Sequence, residues 1–154
     1  MVEIKKIDSP NKKADICNLI LRALPNWFGV EASILEYVES VKTMPFWASL
    51  DADKTIGFVA LKEHNTYASE LCVMGVLPEY HRAGIGKRLI ECCEEHCLNN
   101  DTEYLTVKTL DASALSKSYA KTREFYLAMG FRPLEVFPLH WDEKNPCLFM
   151  AKRV

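Results

Sequence analysis

The stretch VLPEYHRAGIGKRL, Val76 to Leu89, sets Gly84 and Gly86 one residue apart, with basic side chains around them and an apolar-periodic run behind. Just before it, LCVMGV (Leu71–Val76) is almost wholly apolar, as a buried central strand should be. Gly75 is unusual inside a strand and marks either a bulge or a place where a ligand nears the backbone. A strand feeding a glycine-rich turn feeding a helix is the context that gives such a turn meaning. The first helical N–H groups have no internal partner, and the helix dipole puts partial positive charge there. Glycines let a phosphate reach those N–H groups without a Cβ in the way, and Arg82 and Lys87 add full charges. Read alone, the stretch fits a phosphate cradle and a tidy helix start equally well. A Walker loop is excluded, because Arg88 follows Gly86-Lys87 where Ser or Thr would serve magnesium. The dinucleotide pattern would want a third glycine and a βαβ unit at the start of the chain.

Working outward, VEIKKI alternates like a short first strand. NKKADICNLILRAL is helical through Ile16, Leu19, Ile20 and Leu24, and PNWFG breaks it. EASILEYVESVKT resumes a helix through Ile34, Leu35, Val38 and Val41. FWASL, DADK and TIGFVALKEH read as an antiparallel hairpin, and YASELCVMGV as the strand leading to Pro78. GIGKRLIECCEEHCLNN is a helix, EYLTVKTL a strand, and YAKTREFYLAMG a helix stopped at Gly130. PLEVFPL and PCLFMAKRV end the chain as strands, with His140, Trp141 and Asn145 in a hairpin loop between them. The order predicts an α/β layered domain, a mixed sheet covered by helices. No repeat, low-complexity tract or Gly/Ser linker divides it, so residues 1–154 are expected to form one domain.

Nineteen Lys and Arg against 21 Asp and Glu leave a formal charge of -2, which gives no general reason to expect nucleic acid or a membrane as partner. Any anion site must be local. The longest apolar runs are strand-sized and no signal segment opens the chain, so a cytoplasmic location is expected. Six cysteines in a core-rich chain of this size do not call for a disulfide framework.

A second motif resolves the ambiguity of the first. Some forty residues after the glycine loop comes FYLAMGF, Phe125 to Phe131. Together, VLPEYHRAGIGKRL and FYLAMGF resemble the GCN5-related N-acetyltransferase (GNAT) superfamily. Its hallmarks are a Gln/Arg-x-x-Gly-x-Gly/Ala loop and a later helix ending in Tyr-x-x-x-Gly-Phe. The element order is similar to that family's from end to end. The resemblance implies a mixed, mostly antiparallel sheet flanked by helices. It also implies acetyl-CoA as co-substrate, with the pyrophosphate on Arg82, Ala83, Gly84, Ile85, Gly86 and Lys87. The pantetheine arm would lie along Met74, Gly75 and Val76. Two positions depart from the pattern: His81 stands at the first loop position, and Tyr119 where many members carry Asn.

Acyl transfer from a thioester to an amine sets three tasks. The amine, with a pKa near ~10.4 when free, must lose a proton. The developing oxyanion needs donors, expected from a strand N–H at Val73 or Met74, and the thiolate needs a proton. By resemblance Tyr126 is the general acid; as residues alone, Tyr119, Thr122, Tyr126 and Met129 also form a stripe that core packing would explain. Glu70, entering the apolar strand, is the candidate base, set against an ordinary solvated strand-end glutamate. Trp27 and Phe28 are candidates for the acceptor wall or for plugs in the core.

CCEEHC suggests zinc, but one helix presents at most two ligands per face, and Cys93 and Cys97 continue the stripe of Leu89 and Ile90; no metal is expected. The reading is thus an N-acetyltransferase acting on an amine of a small molecule or peptide. The alternative is a non-catalytic acyl-CoA-binding or sensor module on the same fold. Acceptor identity, acyl length and pairing of two chains as a homodimer stay open.

Overall fold

A computed structural model describes residues 1–154. The chain runs β1 (Val2–Lys6), α1 (Pro10–Arg22), α2 (Glu31–Ser40), β2 (Phe46–Asp51), β3 (Lys54–Glu63), β4 (Ala68–Val76), α3 (Ile85–Asn99), β5 (Tyr104–Leu110), α4 (Lys117–Ala128), β6 (Arg132–Asp142) and β7 (Asn145–Arg153). The element order is the one expected from sequence. One seven-stranded sheet takes them in the order β1-β2-β3-β4-β5-β7-β6. Every neighbouring pair is antiparallel except β4 with β5.

Local chemistry accounts for the helix limits. Ser9 caps α1 by accepting from Lys12 N at 3.3 Å, and Pro10 occupies the first turn, where no N–H is needed. Ser116 caps α4 by accepting from Tyr119 N at 3.2 Å. Arg22, at the end of α1, grips Glu31, at the start of α2, with two 2.7 Å bonds. That pair is exposed and adds little to stability, but it closes the base of the loop holding Trp27 and Phe28.

Two helix pairs cover the sheet. A Cβ on Gly75 would lie 2.9 Å from both Ile20 and Leu24, so α1 presses directly on β4 there. Gly75 therefore serves close helix packing. On the other face α3 packs with its His96 ring 5.5 Å from Trp47 of β2. Between the layers lies one apolar cluster that includes Phe46, Phe58, Leu61, Leu89, Leu105 and Phe131, all fully buried. Burying such a side chain contributes about 1.5–3 kcal/mol each. Cys93 and Cys97 belong to this cluster as small apolar residues.

Three local expectations need correction. Leu19 is 59 % exposed, and the inward face of α1 is completed by Cys17 and Leu21 instead. Leu35 is likewise on the outside of α2. His140 and Trp141 lie within β6 rather than in a loop; the turn is Glu143–Lys144, held by Asp142 accepting from Lys144 N and Asn145 Nδ2 at 2.9 Å each. The β6 register slips by several residues between Phe137 and Asp142, so the strand bulges before it turns. No helix is long and apolar enough to cross a membrane.

Candidate active site

The site begins where the one parallel pair comes apart. β4 is bonded to β5 only from Ala68 to Leu71, opposite Tyr104 to Val107. On its other edge the register against β3 passes from Leu61–Leu71 to Ala60–Val73, which makes Cys72 an extra residue. This bulge turns β4 away from β5 at the place where their pairing stops. From Cys72 to Val76 the edge of β4 facing β5 has no strand beside it. Backbone groups left this way call for other partners. His81 supplies one, its Nε2 lying 2.7 Å from the Val76 carbonyl. The wedge opens into a cleft of about 820 Å³. On its β5 wall, Thr109 keeps a buried hydroxyl without a protein partner.

At one end of the cleft stands the N-terminus of α3. Arg82 (φ 64) and Gly84 (φ 77) both take left-handed backbone, winding the chain so that Gly84 becomes the helix cap. No side chain caps this end, and no acidic residue lies in the first turn. A Cβ on Gly84 would meet nothing within 4 Å, so the glycine is required by its backbone angle and leaves the approach to the N–H groups open. Gly86 is different. A Cβ there would fall 3.0 Å from Phe125 Cζ, so this glycine lets α3 and α4 close on each other. Arg82 and Lys87 line the cleft at this end. Lys117 and Lys121 of α4, four residues apart on one helix face, also line the cleft. Sequence reasoning missed those two lysines, although their spacing in a helix just before FYLAMGF was visible.

Tyr126 also lines the cleft. The motif that carries it has a direct physical reading. Phe131 N donates to Tyr126 O at 3.0 Å and Gly130 N to Leu127 O at 3.1 Å, while Gly130 sits at φ 98. These are the two bonds of a Schellman helix stop, which brings the residues at its ends into apolar contact. Here those residues are Tyr126 and Phe131, their rings 5.6 Å apart. The helix stop thus fixes the place of the tyrosine ring. Tyr126 is 7 % exposed, lines the cleft and makes no hydrogen bond to the protein. Burial, with Tyr119 and Tyr37 as smaller contributors, pushes its phenol well above the usual range. The group therefore keeps its proton at neutral pH and is available as a donor, not as a base.

Tyr119, the position departing from the family pattern, has a clear task. Its hydroxyl donates to the Trp27 carbonyl at 2.8 Å, and Trp27 Nε1 donates to Thr122 Oγ1 at 3.1 Å. Two bonds tie the α1–α2 loop to α4. Trp27 also meets the His81 ring edge-on at 5.7 Å, and Phe28 meets Tyr37 edge-on at 6.1 Å. Trp27 and Phe28 are half-buried, pack on the core and line the cleft.

Glu70 is not a solvated strand-end residue. It is 7 % exposed, and its Oε1 takes both Lys108 Nζ at 3.0 Å and His64 Nε2 at 2.7 Å. Oε2 has no protein partner. Glu70 faces a second cavity, of about 510 Å³, beside Phe137, His140 and Phe149. Lys108 lines both this cavity and the main cleft, so the two hollows share a wall. Of the sequence-derived set, Met74, Gly75, Val76, Arg82, Gly84, Ile85, Gly86, Lys87, Trp27, Phe28 and Tyr126 come together on the main cleft; Glu70 lies across Lys108 from it. Ala83 is in the loop but not on the cleft wall. His64 and Lys108 carried no motif; the turn between β3 and β4 brings the first to Glu70, and the run of β5 beside β4 brings the second.

A family model for the acetyltransferase (GNAT) domain matches residues 42–133. The chain belongs to the GNAT family of acetyltransferases. The matched span holds the bulge, the glycine loop, Glu70 and Tyr126. As a GNAT member the chain is an acyltransferase. An uncharacterized N-acetyltransferase of Bacillus subtilis, YsnE, is 27 % identical over 109 residues, which span 71 % of this chain and 69 % of that protein. Among solved structures, a protein assigned to the GNAT family from Desulfovibrio desulfuricans superposes with a TM-score of 0.82 at 17 % identity, covering 99 % of both chains. An aminoglycoside 6'-N-acetyltransferase complexed with coenzyme A gives a TM-score of 0.77 at 22 % identity, covering 98 % of this chain and 96 % of that one. These likenesses show a shared fold.

Proposed function

We propose that residues 1–154 act as a single-domain N-acetyltransferase that moves an acetyl group from acetyl-CoA directly to an amine. The observation that carries this reading is one cleft lined both by an uncapped, cation-flanked helix start and by a buried, proton-bearing tyrosine. The residues present suit the co-substrate. The α3 N-terminus with Arg82 and Lys87 would hold the pyrophosphate, with Lys117 and Lys121 adding charge. The open edge of β4 from Cys72 to Val76, facing the unpartnered Thr109 hydroxyl, would hold the amide-bearing arm. Acetyl-CoA supplies an activated thioester.

The chain's own groups then divide the work. A β4 N–H at Val73 or Met74 would donate to the reacting carbonyl oxygen. Tyr126 would give its phenolic proton to the departing sulfur. Glu70 would accept the proton of the amine on Oε2, while Lys108 and His64 hold Oε1 and so fix the carboxylate plane. The aromatic loop at Trp27 and Phe28 would shield the reacting end from water.

Release of free thiol from acetyl-CoA, measured with a panel of amines, tests the reading. Tyr126→Phe is expected to lower kcat by about 10²–10⁴-fold while leaving the KM for acetyl-CoA close to its starting value. An active enzyme unaffected by that change would remove Tyr126 as the acid. Tight coenzyme A binding with no thiol release for any amine would replace the transferase with a binding module.

A further inference from the structure

We infer that Lys152, held by Glu94, is a positioning residue for the transfer step: it fixes the last turn of α4 and, with it, the phenolic hydroxyl of Tyr126. This rests on the reading of Tyr126 as the proton donor and adds two residues to it. Neither Lys152 nor Glu94 lines the cleft, so neither touches a substrate bound there. Glu94 stands on α3, and Lys152 on β7 opposite Leu105 of β5. Both side chains are half-buried. Lys152 Nζ donates to Glu94 Oε1 at 2.8 Å and to the Met129 carbonyl at 2.7 Å. It also lies 5.8 Å over the Phe131 ring. One ammonium thus joins the sheet, α3 and the end of α4.

The need for such a joint follows from how α4 is held. Tyr126 is the one buried residue of the helix, so apolar packing gives it few other anchors. Its first half is tied through Tyr119 and Thr122 to the Trp27 loop, and through Arg123 Nη1, which donates to the Leu110 carbonyl at 2.7 Å. In its last turn, Arg132 reaches the Leu127 carbonyl at 3.2 Å, but it also bonds the Phe131 carbonyl at 2.9 Å and so travels with the turn. Lys152 is the side chain that bonds this turn to elements outside it. Met129 is the helix cap, where the last carbonyls lack partners and the dipole favours a cation. The same ammonium covers Phe131, whose ring bounds that of Tyr126 at 5.6 Å. The tyrosine ring is therefore set from the backbone three residues after it and from the ring beside it. Misplacing a reacting group by about 1 Å costs on the order of 10²-fold in rate.

A double-mutant cycle tests this. Free thiol release from acetyl-CoA is measured for the whole chain, Lys152→Met, Tyr126→Phe and the double variant. Phenethylamine, spermidine and lysine amide are tried as acceptors, and the fastest is used. Lys152→Met keeps the stem and removes the charge. It is expected to lower kcat at least about tenfold, with the KM for acetyl-CoA and calorimetric coenzyme A affinity near their starting values. In the Tyr126→Phe background the same change is expected to alter kcat by less than about twofold, because the hydroxyl it positions is gone. An equal loss in both backgrounds overturns the inference and leaves Tyr126 as the acid, as does no loss in either. Tyr126→Phe without effect on kcat, or no thiol release with any acceptor, removes the acid reading and the inference with it. Glu94→Gln, which loosens the ammonium without removing it, runs through the same cycle if Lys152→Met fails to fold, and the same outcomes decide.

Discussion

Four glycines of the site illustrate how one residue type can serve separate ends. Gly84 adopts left-handed backbone in open space, Gly130 adopts it at a helix stop, and Gly75 and Gly86 make room for neighbouring helices. These roles predict different phenotypes. Gly84→Glu sets a carboxylate where the phosphates would lie, and is expected to raise the KM for acetyl-CoA by more than about tenfold with little effect on melting temperature. Gly75→Ala drives a methyl into Ile20 and Leu24, and is expected to cost about 1–3 kcal/mol in denaturant unfolding with the KM for acetyl-CoA kept. A Gly75→Ala protein of full stability and weak cofactor affinity would return that glycine to ligand approach. The sequence announced these residues without distinguishing them, since a missing Cβ reads the same whether a phosphate or a leucine takes its place. Glu70 shows the same limit. Its position in an apolar strand was plain, but its partners come from His64, in the preceding loop, and from Lys108, 38 residues later.

At the scale of elements, the two motifs were legible because each encodes a local conformation: a left-handed entry to α3 and a Schellman exit from α4. The α1–α2 loop was not, because its place depends on α4, some ninety residues away in sequence. Tyr119 makes that link, which explains a tyrosine where the family pattern has Asn. Tyr119→Phe removes one bond and leaves the Trp27 carbonyl unpartnered. The expected result is a loss of about 1 kcal/mol in stability and a raised KM for the acceptor, with the KM for acetyl-CoA little changed. Steady-state kinetics in both substrates, beside a thermal melt, checks this. The hairpin of β6 and β7 was legible as two strands but not in register, because its bulge follows from no turn signal in the sequence.

Over the whole molecule, ionisation of buried phenols and thiols governs the alkaline limit. Burial raises Cys17 to about 12, Cys72 to about 11 and Tyr119 to about 12, and it drives Tyr37 and Tyr126 higher still. Each group binds its proton more firmly folded than unfolded. Its contribution is therefore complete below the unfolded pKa, near ~8.5 for thiols and ~10 for phenols, and declines as pH rises through the folded value. Unfolding free energy is expected to fall steadily from about pH 8.5 upward, measured by urea titration at a series of pH values. Replacing Cys17 and Cys72 together by Ala should flatten the early part of that decline. The layered architecture itself was readable from periodicity, since alternating strands and amphipathic helices are local signals. The parting of β4 from β5 was not, because it is a relation between two strands.

The Schellman stop of α4 has one more implication. The hydroxyl assigned to protonate the thiolate has no protein partner holding it; its position comes from a ring packed edge-on within a turn whose geometry depends on Gly130 and Phe131. Reactivity is thus written partly in residues that never approach a substrate. A change at either would be felt as lost chemistry in a protein whose cleft, charges and cofactor grip are intact, and inspection of the pocket walls alone would not disclose the cause.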